Sequence, residues 1–236
     1  MNSECGYSRS LPINVKAQRH DVMPKRTDLH GLYAITDGPR EDLIDACTHV
    51  LEGGAALLQY RDKTKETLRR FAEARSLVAL CNAHGVPLII NDDIELAIAV
   101  GAAGVHLGQD DINIGAARER TGSNMIIGAS CYDSLGRART MAAAGADYLA
   151  FGAFYPSPTK PHACRASPDL LKEARVLGVP LVAIGGITAE NGMSLIESGA
   201  DCLAAISAVF GAPDPRSAAR GLSDLFVGRR QELHHP

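Results

Sequence analysis

Four glycines with near-identical neighbours set the frame of this chain. Gly54-Ala55-Ala56-Leu57, Gly101-Ala102-Ala103-Gly104-Val105, Gly145-Ala146-Asp147-Tyr148 and Gly199-Ala200-Asp201-Cys202 each follow an amphipathic stretch and lead into an apolar one. Glycine suits the left-handed residue that closes a helix, and the small residue after it lets the chain turn into a sheet. The motif recurs after 47, 44 and 54 residues. Each interval is about twice one strand–helix unit, so the copies mark the second, fourth, sixth and eighth strands of an eightfold alternation.

The apolar runs fit that count. Strands are expected at Leu32–Thr36, Leu57–Arg61, Leu88–Asn91, Gly104–Leu107, Met125–Ser130, Tyr148–Gly152, Leu181–Ile184 and Cys202–Ile206. Helical patterns cover Asp42–Glu52, Lys65–His84, Asp93–Val100, Ile114–Arg120, Ser134–Ala144, Pro168–Leu177, Asn191–Glu197 and Ser217–Val227. Strands that are nearly all apolar are buried on both faces, which points to a parallel sheet. The expected fold is α/β, a single-domain (β/α)8 TIM barrel over residues 30–228. An open doubly wound sheet is the runner-up, but Thr36-Asp37-Gly38-Pro39 after the first strand is a turn rather than a dinucleotide glycine fingerprint. Residues 1–29 lack periodicity and read as a flexible N-terminal tail, with residues 229–236 as a C-terminal tail. Lys16, Arg19, Lys25 and Arg26 suggest a targeting or partner element, against which Glu4, Asp21 and Asp28 weigh.

Composition excludes several classes. A net charge of -3 with both signs interspersed gives no global case for nucleic acid or an anionic membrane, so any anion site must be local. No apolar run approaches the length of a membrane span. The six cysteines share no metal-ligand or redox spacing, which argues against zinc and fits a reducing, cytoplasmic setting. The oligomeric state is left open, an oligomer included.

In such a barrel the loops after the strands carry the site. Strand two runs into Gln59-Tyr60-Arg61-Asp62-Lys63; alternation puts Gln59, Arg61 and Lys63 on one face, able to grip a phosphate, with a solvated strand end as the plainer alternative. Asn91-Asp92-Asp93 and Gly108-Gln109-Asp110-Asp111 follow adjacent strands. Asp92 and Asp111 could share one hard cation such as Mg²⁺, or the aspartates could simply cap the next helices. Ser130 ends strand five. In Pro156-Ser157-Pro158-Thr159-Lys160 two hydroxyls and an ammonium could close over a phosphate, or the loop is an exposed turn. Gly185-Gly186 offers bare amides before a helix, an anion site or a tight turn. His106 reads as a satisfied core histidine, His84 as a cation at a helix end, and His234-His235 as tail. No order of serine, histidine and aspartate at the strand ends suggests acyl transfer.

Together these motifs resemble the thiamine-phosphate synthase family from about Gly31 to Phe210. The resemblance rests on Gln59–Lys63, Ile90–Asp93, Gly104–Asp111, Tyr155–Lys160 and Ala183–Thr188, in that order. It implies a Mg²⁺-dependent transferase on a (β/α)8 barrel. The reaction joins 4-amino-2-methyl-5-hydroxymethylpyrimidine diphosphate to 4-methyl-5-(2-phosphooxyethyl)thiazole and releases diphosphate. By the same resemblance Gln59, Arg61, Lys63 and Asn91 hold the pyrimidine diphosphate, and Asp92 and Asp111 hold Mg²⁺. Ser130 faces the reacting pyrimidine, Thr159 and Lys160 close from the sixth loop, and Gly186, Ile206 and Ser207 receive the thiazole phosphate. Arg61, Lys63, Ser130 and Lys160 are the groups implied in catalysis. Ser157 stands where the family commonly has threonine, and Cys131-Tyr132 where a histidine often stands. Two rivals use the same fold: a thiazole tautomerase-like isomerase, which needs no diphosphate or metal grip, and a non-catalytic phosphate-binding barrel. The implied partners are small-molecule substrates, with no nucleic acid and no membrane.

Overall fold

The computed structural model describes residues 29–109, 111, 113–156 and 165–227. All four junction glycines take positive φ: 96° at Gly54, 67° at Gly101, 92° at Gly145 and 112° at Gly199. Each N–H donates to the carbonyl three residues back, and the next alanine N–H donates five residues back, as in Gly54 to Leu51 and Ala55 to Val50. This paired closure satisfies carbonyls that the helix end would otherwise leave unbonded. The alanine that follows is buried in every copy.

Strands and helices alternate as far as the eighth strand, which two helices follow. They are β1 (Gly31–Ile35), α1 (Leu43–Glu52), β2 (Leu57–Tyr60), α2 (Thr67–His84), β3 (Leu88–Asn91), α3 (Ile94–Val100), β4 (Gly104–Leu107), α4 (Ile114–Thr121), β5 (Ile126–Tyr132), α5 (Leu135–Ala143), β6 (Tyr148–Phe151), α6 (Asp169–Ala174), β7 (Leu181–Ile184), α7 (Met193–Glu197), β8 (Cys202–Ala205), α8 (Ser207–Phe210) and α9 (Pro215–Asp224). The eight strands pair in sequence order and close β8 onto β1. Every pairing is parallel, so the expected (β/α)8 barrel is the fold and the open sheet is excluded.

Two apolar layers hold it together. One lies between strands and helices and takes Leu58, Tyr60, Ile90, Val105 and Leu107. The other fills the barrel with Tyr33, Ile35, Leu57, Ile89, Ile126, Tyr148, Val182 and Cys202. Successive residues such as Leu57 and Leu58 serve opposite layers, which is why the strands are apolar throughout. At the foot of the barrel, Asp147 and Asp201 of two junction motifs accept the Ile127 and Leu181 N–H groups, at 2.7 and 2.8 Å.

Three details differ from expectation. β5 continues to Tyr132 through a register shift after Ser130. The short helix α8 follows β8, within a stretch too brief to carry a periodic signal. Gly185 and Gly186 do not open a helix: α7 begins at Met193, and Asn191 instead bonds the Gly186 carbonyl and the Thr188 N–H.

Candidate active site

The expected residues gather at the carboxyl ends of the strands, around three adjoining hollows. A central cavity of about 170 Å³ is walled by Gln59, Arg61, Asn91, His106, Ser130 and Tyr132, with apolar groups such as Ile35, Val182 and Ala204 below. Lys63, Asp92, Asp93, Asp111, Arg70 and Arg120 surround an open polar hollow that shares Asn91 with it. Gly186, Thr188, Ile206 and Ser207 line a third, reached past Ile184 and Gly185. Ser157, Thr159 and Lys160 lie outside the described residues, as do Asp110, the segment 1–28 and His234-His235.

Alternation in strand two holds, with one change. Gln59 and Arg61 face the central cavity, while the Tyr60 hydroxyl points outward to Glu73 at 2.6 Å. Asp62 turns inward beneath α2 and pairs with Arg69 at 2.7 Å, its side chain wholly buried. Lys63 lies beyond the strand end and faces the polar hollow rather than the central cavity. Its ammonium is 3.3 Å from the Asp92 carboxylate.

The aspartates separate by role. Asp93 caps α3, accepting the Leu96 N–H at 2.9 Å, and pairs with Arg70. Asn113 caps α4, so Asp111 does not. Asp111 instead accepts the Gly108 N–H at 2.6 Å. Its carboxyl is pushed above the usual range, first by burial and then by the Asp92 charge, against the pull of the Gly108 amide and Lys63. Asp92 has φ of 63° and Tyr132 of 55°, the non-glycine residues with positive φ among those described. Such backbone costs about 1–3 kcal/mol per residue and gathers at functional sites. Two facing carboxylates on neighbouring strands make a set of oxygen donors suited to a hard cation, which would offset their mutual repulsion. No group of three or more His, Cys, Asp or Glu side chains that could hold a metal exists among the described residues, so a cation held by this pair would draw further oxygen ligands from water or phosphate.

Ser130 accepts or donates at 2.9 Å to His106 Nε2, and the Arg137 guanidinium holds the Ser130 carbonyl at 2.7 Å and the Gly108 carbonyl at 3.0 Å. Arg137 thus ties the end of β5 to the loop carrying Asp111, and it lies over the Tyr132 ring. His106 is a bonded interior histidine, as expected, but it also forms cavity wall. Tyr33 and Arg137 were not foreseen as site residues, and Tyr132 was noted only as a departure from the family pattern. Tyr33 sits in an apolar strand, Tyr132 follows a bulge, and Arg137 lies on a surface helix, so no local pattern marks them.

At Gly186, with φ of 63°, an added Cβ would sit 2.4 Å from the Pro156 carbonyl. The bare backbone there lets β6 and β7 loops approach closely, which shapes the third hollow.

Residues 32–209 match the family model for thiamine monophosphate synthase. The chain is 52% identical over 210 residues to the thiamine-phosphate synthase of Thiobacillus denitrificans, covering 88% of this chain and 100% of that one. It is 50% identical over 209 residues to the thiamine-phosphate synthase of Chromobacterium violaceum, covering 88% and 100%. Among solved structures, thiamine phosphate pyrophosphorylase from Pyrococcus furiosus is 34% identical with a TM-score of 0.77, covering 89% of this chain and 99% of that one. A 3-hexulose-6-phosphate synthase, 17% identical with a TM-score of 0.63 over 83% and 100% of the two chains, shares the fold. The conclusion from motifs, barrel and relatives is that this chain belongs to the thiamine-phosphate synthase family.

Proposed function

We propose that this enzyme joins 4-amino-2-methyl-5-hydroxymethylpyrimidine diphosphate to 4-methyl-5-(2-phosphooxyethyl)thiazole, giving thiamine phosphate and diphosphate. The observation that carries the reading is the arrangement of the hollows. A mostly apolar cavity sized for a small ring lies between a hollow holding Lys63, Asp92 and Asp111 and one holding Gly186 and Ser207. Two phosphate-bearing substrates can then meet with their rings in the middle.

The pyrimidine lies in the central cavity against Gln59, Asn91 and Ser130, its diphosphate reaching Arg61 and Lys63. Asp92 and Asp111 would hold Mg²⁺, which would supply charge neutralisation on the diphosphate. The bond from the pyrimidine methylene carbon to the diphosphate oxygen breaks, and its electron pair leaves with diphosphate. Arg61 and Lys63 offset the charge that develops there, with Lys160 and the Ser157 and Thr159 hydroxyls added on sequence grounds. The amino-pyrimidine ring stabilises the methylene cation, and the thiazole nitrogen donates its lone pair to form the new bond. Ile35, Val182, Ile184 and Ala204 keep the cavity apolar, which limits capture of the cation by water. Gly186, Ile206 and Ser207 fix the thiazole phosphate. No side-chain nucleophile is needed.

A tautomerase reading leaves Lys63, Asp92 and Asp111 without work, and a binding-only barrel leaves the central cavity without it. A cytoplasmic setting is part of this reading, supported by Cys47, Cys81, Cys131 and Cys202, which are free, buried thiols that burial pushes upward. No described helix is long and apolar enough to cross a membrane. The test is an assay with both substrates, with and without Mg²⁺. Thiamine phosphate and diphosphate should form in equal amounts only with all three present. Isomerised thiazole without the pyrimidine would favour the rival.

A further inference from the structure

Five polar side chains from five strands meet inside the otherwise apolar barrel. The Gln59 amide Nε2 donates to the Tyr33 hydroxyl at 2.7 Å. Tyr33 and Tyr148 hydroxyls are 2.7 Å apart, Tyr148 is 2.9 Å from His106 Nδ1, and His106 Nε2 is 2.9 Å from Ser130 Oγ. The Tyr148 ring stacks on His106 at 5.5 Å and meets Tyr33 edge-on at 5.8 Å. Room for it comes from Gly128 on β5, where a Cβ would fall 1.9 Å from Tyr148 Cζ. Gln59, His106 and Ser130 border the central cavity, while Tyr148 is wholly buried behind them.

The distances leave the donors open, and one direction uses every proton of the chain in a bond. An amide N–H only donates, so the Tyr33 oxygen accepts and passes its own proton toward Tyr148. Tyr148 has one proton and places it toward His106 Nδ1. The imidazole then carries its proton on Nε2 and donates to Ser130 Oγ, which turns the serine proton to the cavity. At the other end the Gln59 carbonyl is left as an acceptor. Burial holds both phenols well above their ordinary range, so neither ionises and the direction is not lost.

We infer that Tyr148 and Tyr33 are positioning residues that hold His106 as its Nε2–H tautomer, so that the cavity presents Ser130 as a hydrogen-bond donor and Gln59 as an acceptor. This rests on the reading that an aminopyrimidine occupies the cavity. An amino group beside a ring nitrogen offers a donor next to an acceptor, the complement of this pair. An oxo-pyrimidine offers a carbonyl beside a ring N–H, the reverse, and would leave buried groups unpaired. The network therefore favours the amino ring over an oxo ring held in the same orientation.

The test has two arms on the full chain. Nitrogen NMR at about pH 8, where an ordinary imidazole is neutral, reads the His106 tautomer directly; the signal is identified by its loss in His106→Gln. A pyrrole-like Nε2 and pyridine-like Nδ1 are expected, and a mixture of tautomers in Tyr148→Phe. An Nδ1–H tautomer in the native protein, or an unchanged tautomer in Tyr148→Phe, overturns the inference. In the kinetic arm, Tyr148→Phe should lower kcat/KM for the pyrimidine diphosphate about tenfold and leave the KM for thiazole phosphate alone. In a Ser130→Ala background the same change should have almost no effect. Equal losses for both substrates, or full additivity with Ser130→Ala, would show a merely structural role; Tyr33→Phe repeats the test should Tyr148→Phe fail to fold. A native protein with no turnover would refute the proposed function, and the tautomer would still decide this inference.

Discussion

Asp92 and Asp93 follow the same strand and do different things. Asp93 satisfies the first turn of α3, while Asp92 adopts a left-handed backbone that aims its carboxylate at Lys63 and Asp111. The sequence alone left capping and metal binding open for both aspartate pairs, because a cap and a ligand use the same residue at nearly the same place. The geometry assigns capping to Asp93 and Asn113. Asp92→Asn and Asp111→Asn should each lower activity about a hundredfold at limiting Mg²⁺, with part of it recovered as Mg²⁺ is raised. Asp93→Ala should cost about 1 kcal/mol of stability and leave the Mg²⁺ requirement unchanged. Titrating Mg²⁺ against rate for the three variants checks this, and full activity of Asp92→Asn at low Mg²⁺ would refute the metal assignment. Asp62 gives a pH prediction. Burial pushes its carboxyl up, but the Thr64 backbone and side-chain bonds and the Arg69 guanidinium outweigh that and hold it below the ordinary range. A carboxylate depressed in the folded state stabilises fully above about pH 4, and that share is lost as pH falls. Asp62→Asn should therefore lower the melting temperature near neutrality and flatten its decline in acid. A decline as steep as the native one would contradict the assignment.

At the level of elements, the eight strands were readable because burial on both faces makes each an unbroken apolar run, and the junction glycines mark where four of them start. The (β/α)8 order follows from those two signals. The bulge after Ser130 was not readable: it arises from pairing between β5 and β6, which no local pattern records. Nor was α8, four residues long and mostly apolar, distinguishable from the end of β8. Gly185-Gly186 read as bare amides before a helix or as a tight turn; no helix starts there, and close approach to the β6 loop demands the glycines. Gly128 carries a comparable demand inside the barrel. Gly128→Ala should cost about 1–3 kcal/mol by overpacking against Tyr148. Combined with Tyr148→Leu, the loss should be smaller than the sum of the two single losses, because the shorter side chain vacates the contested space. Denaturant midpoints of the three variants measure this, and strict additivity would contradict the packing account.

For the whole molecule, the resemblance placed the site residues in order along the chain, and the barrel brings those among the described residues to one mouth. What order along a chain cannot convey is depth. Tyr33, Tyr148 and His106 reach the site from inside the barrel, and Arg137 from its flank, through contacts between strands far apart in sequence. Every described residue lining the three hollows falls between Tyr33 and Ala208. The catalytic unit is proposed as 30–228, so removing residues 1–28 should leave kcat unchanged; a large fall in a folded truncation would contradict that boundary.

The account's central claim is that the hollows divide the substrates, diphosphate beside Lys63 and thiazole phosphate beside Gly186. Steady-state kinetics with each substrate varied in turn tests it most directly. Lys63→Ala removes a charge that matters most as the leaving group departs, so kcat should fall about tenfold or more at saturation. Gly186→Val places a branched side chain against the Pro156 carbonyl and should raise the KM for thiazole phosphate about tenfold, with the KM for the pyrimidine diphosphate little changed. A rise confined to the KM for the pyrimidine diphosphate in Gly186→Val would mean that the two substrates lie the other way round across the barrel mouth.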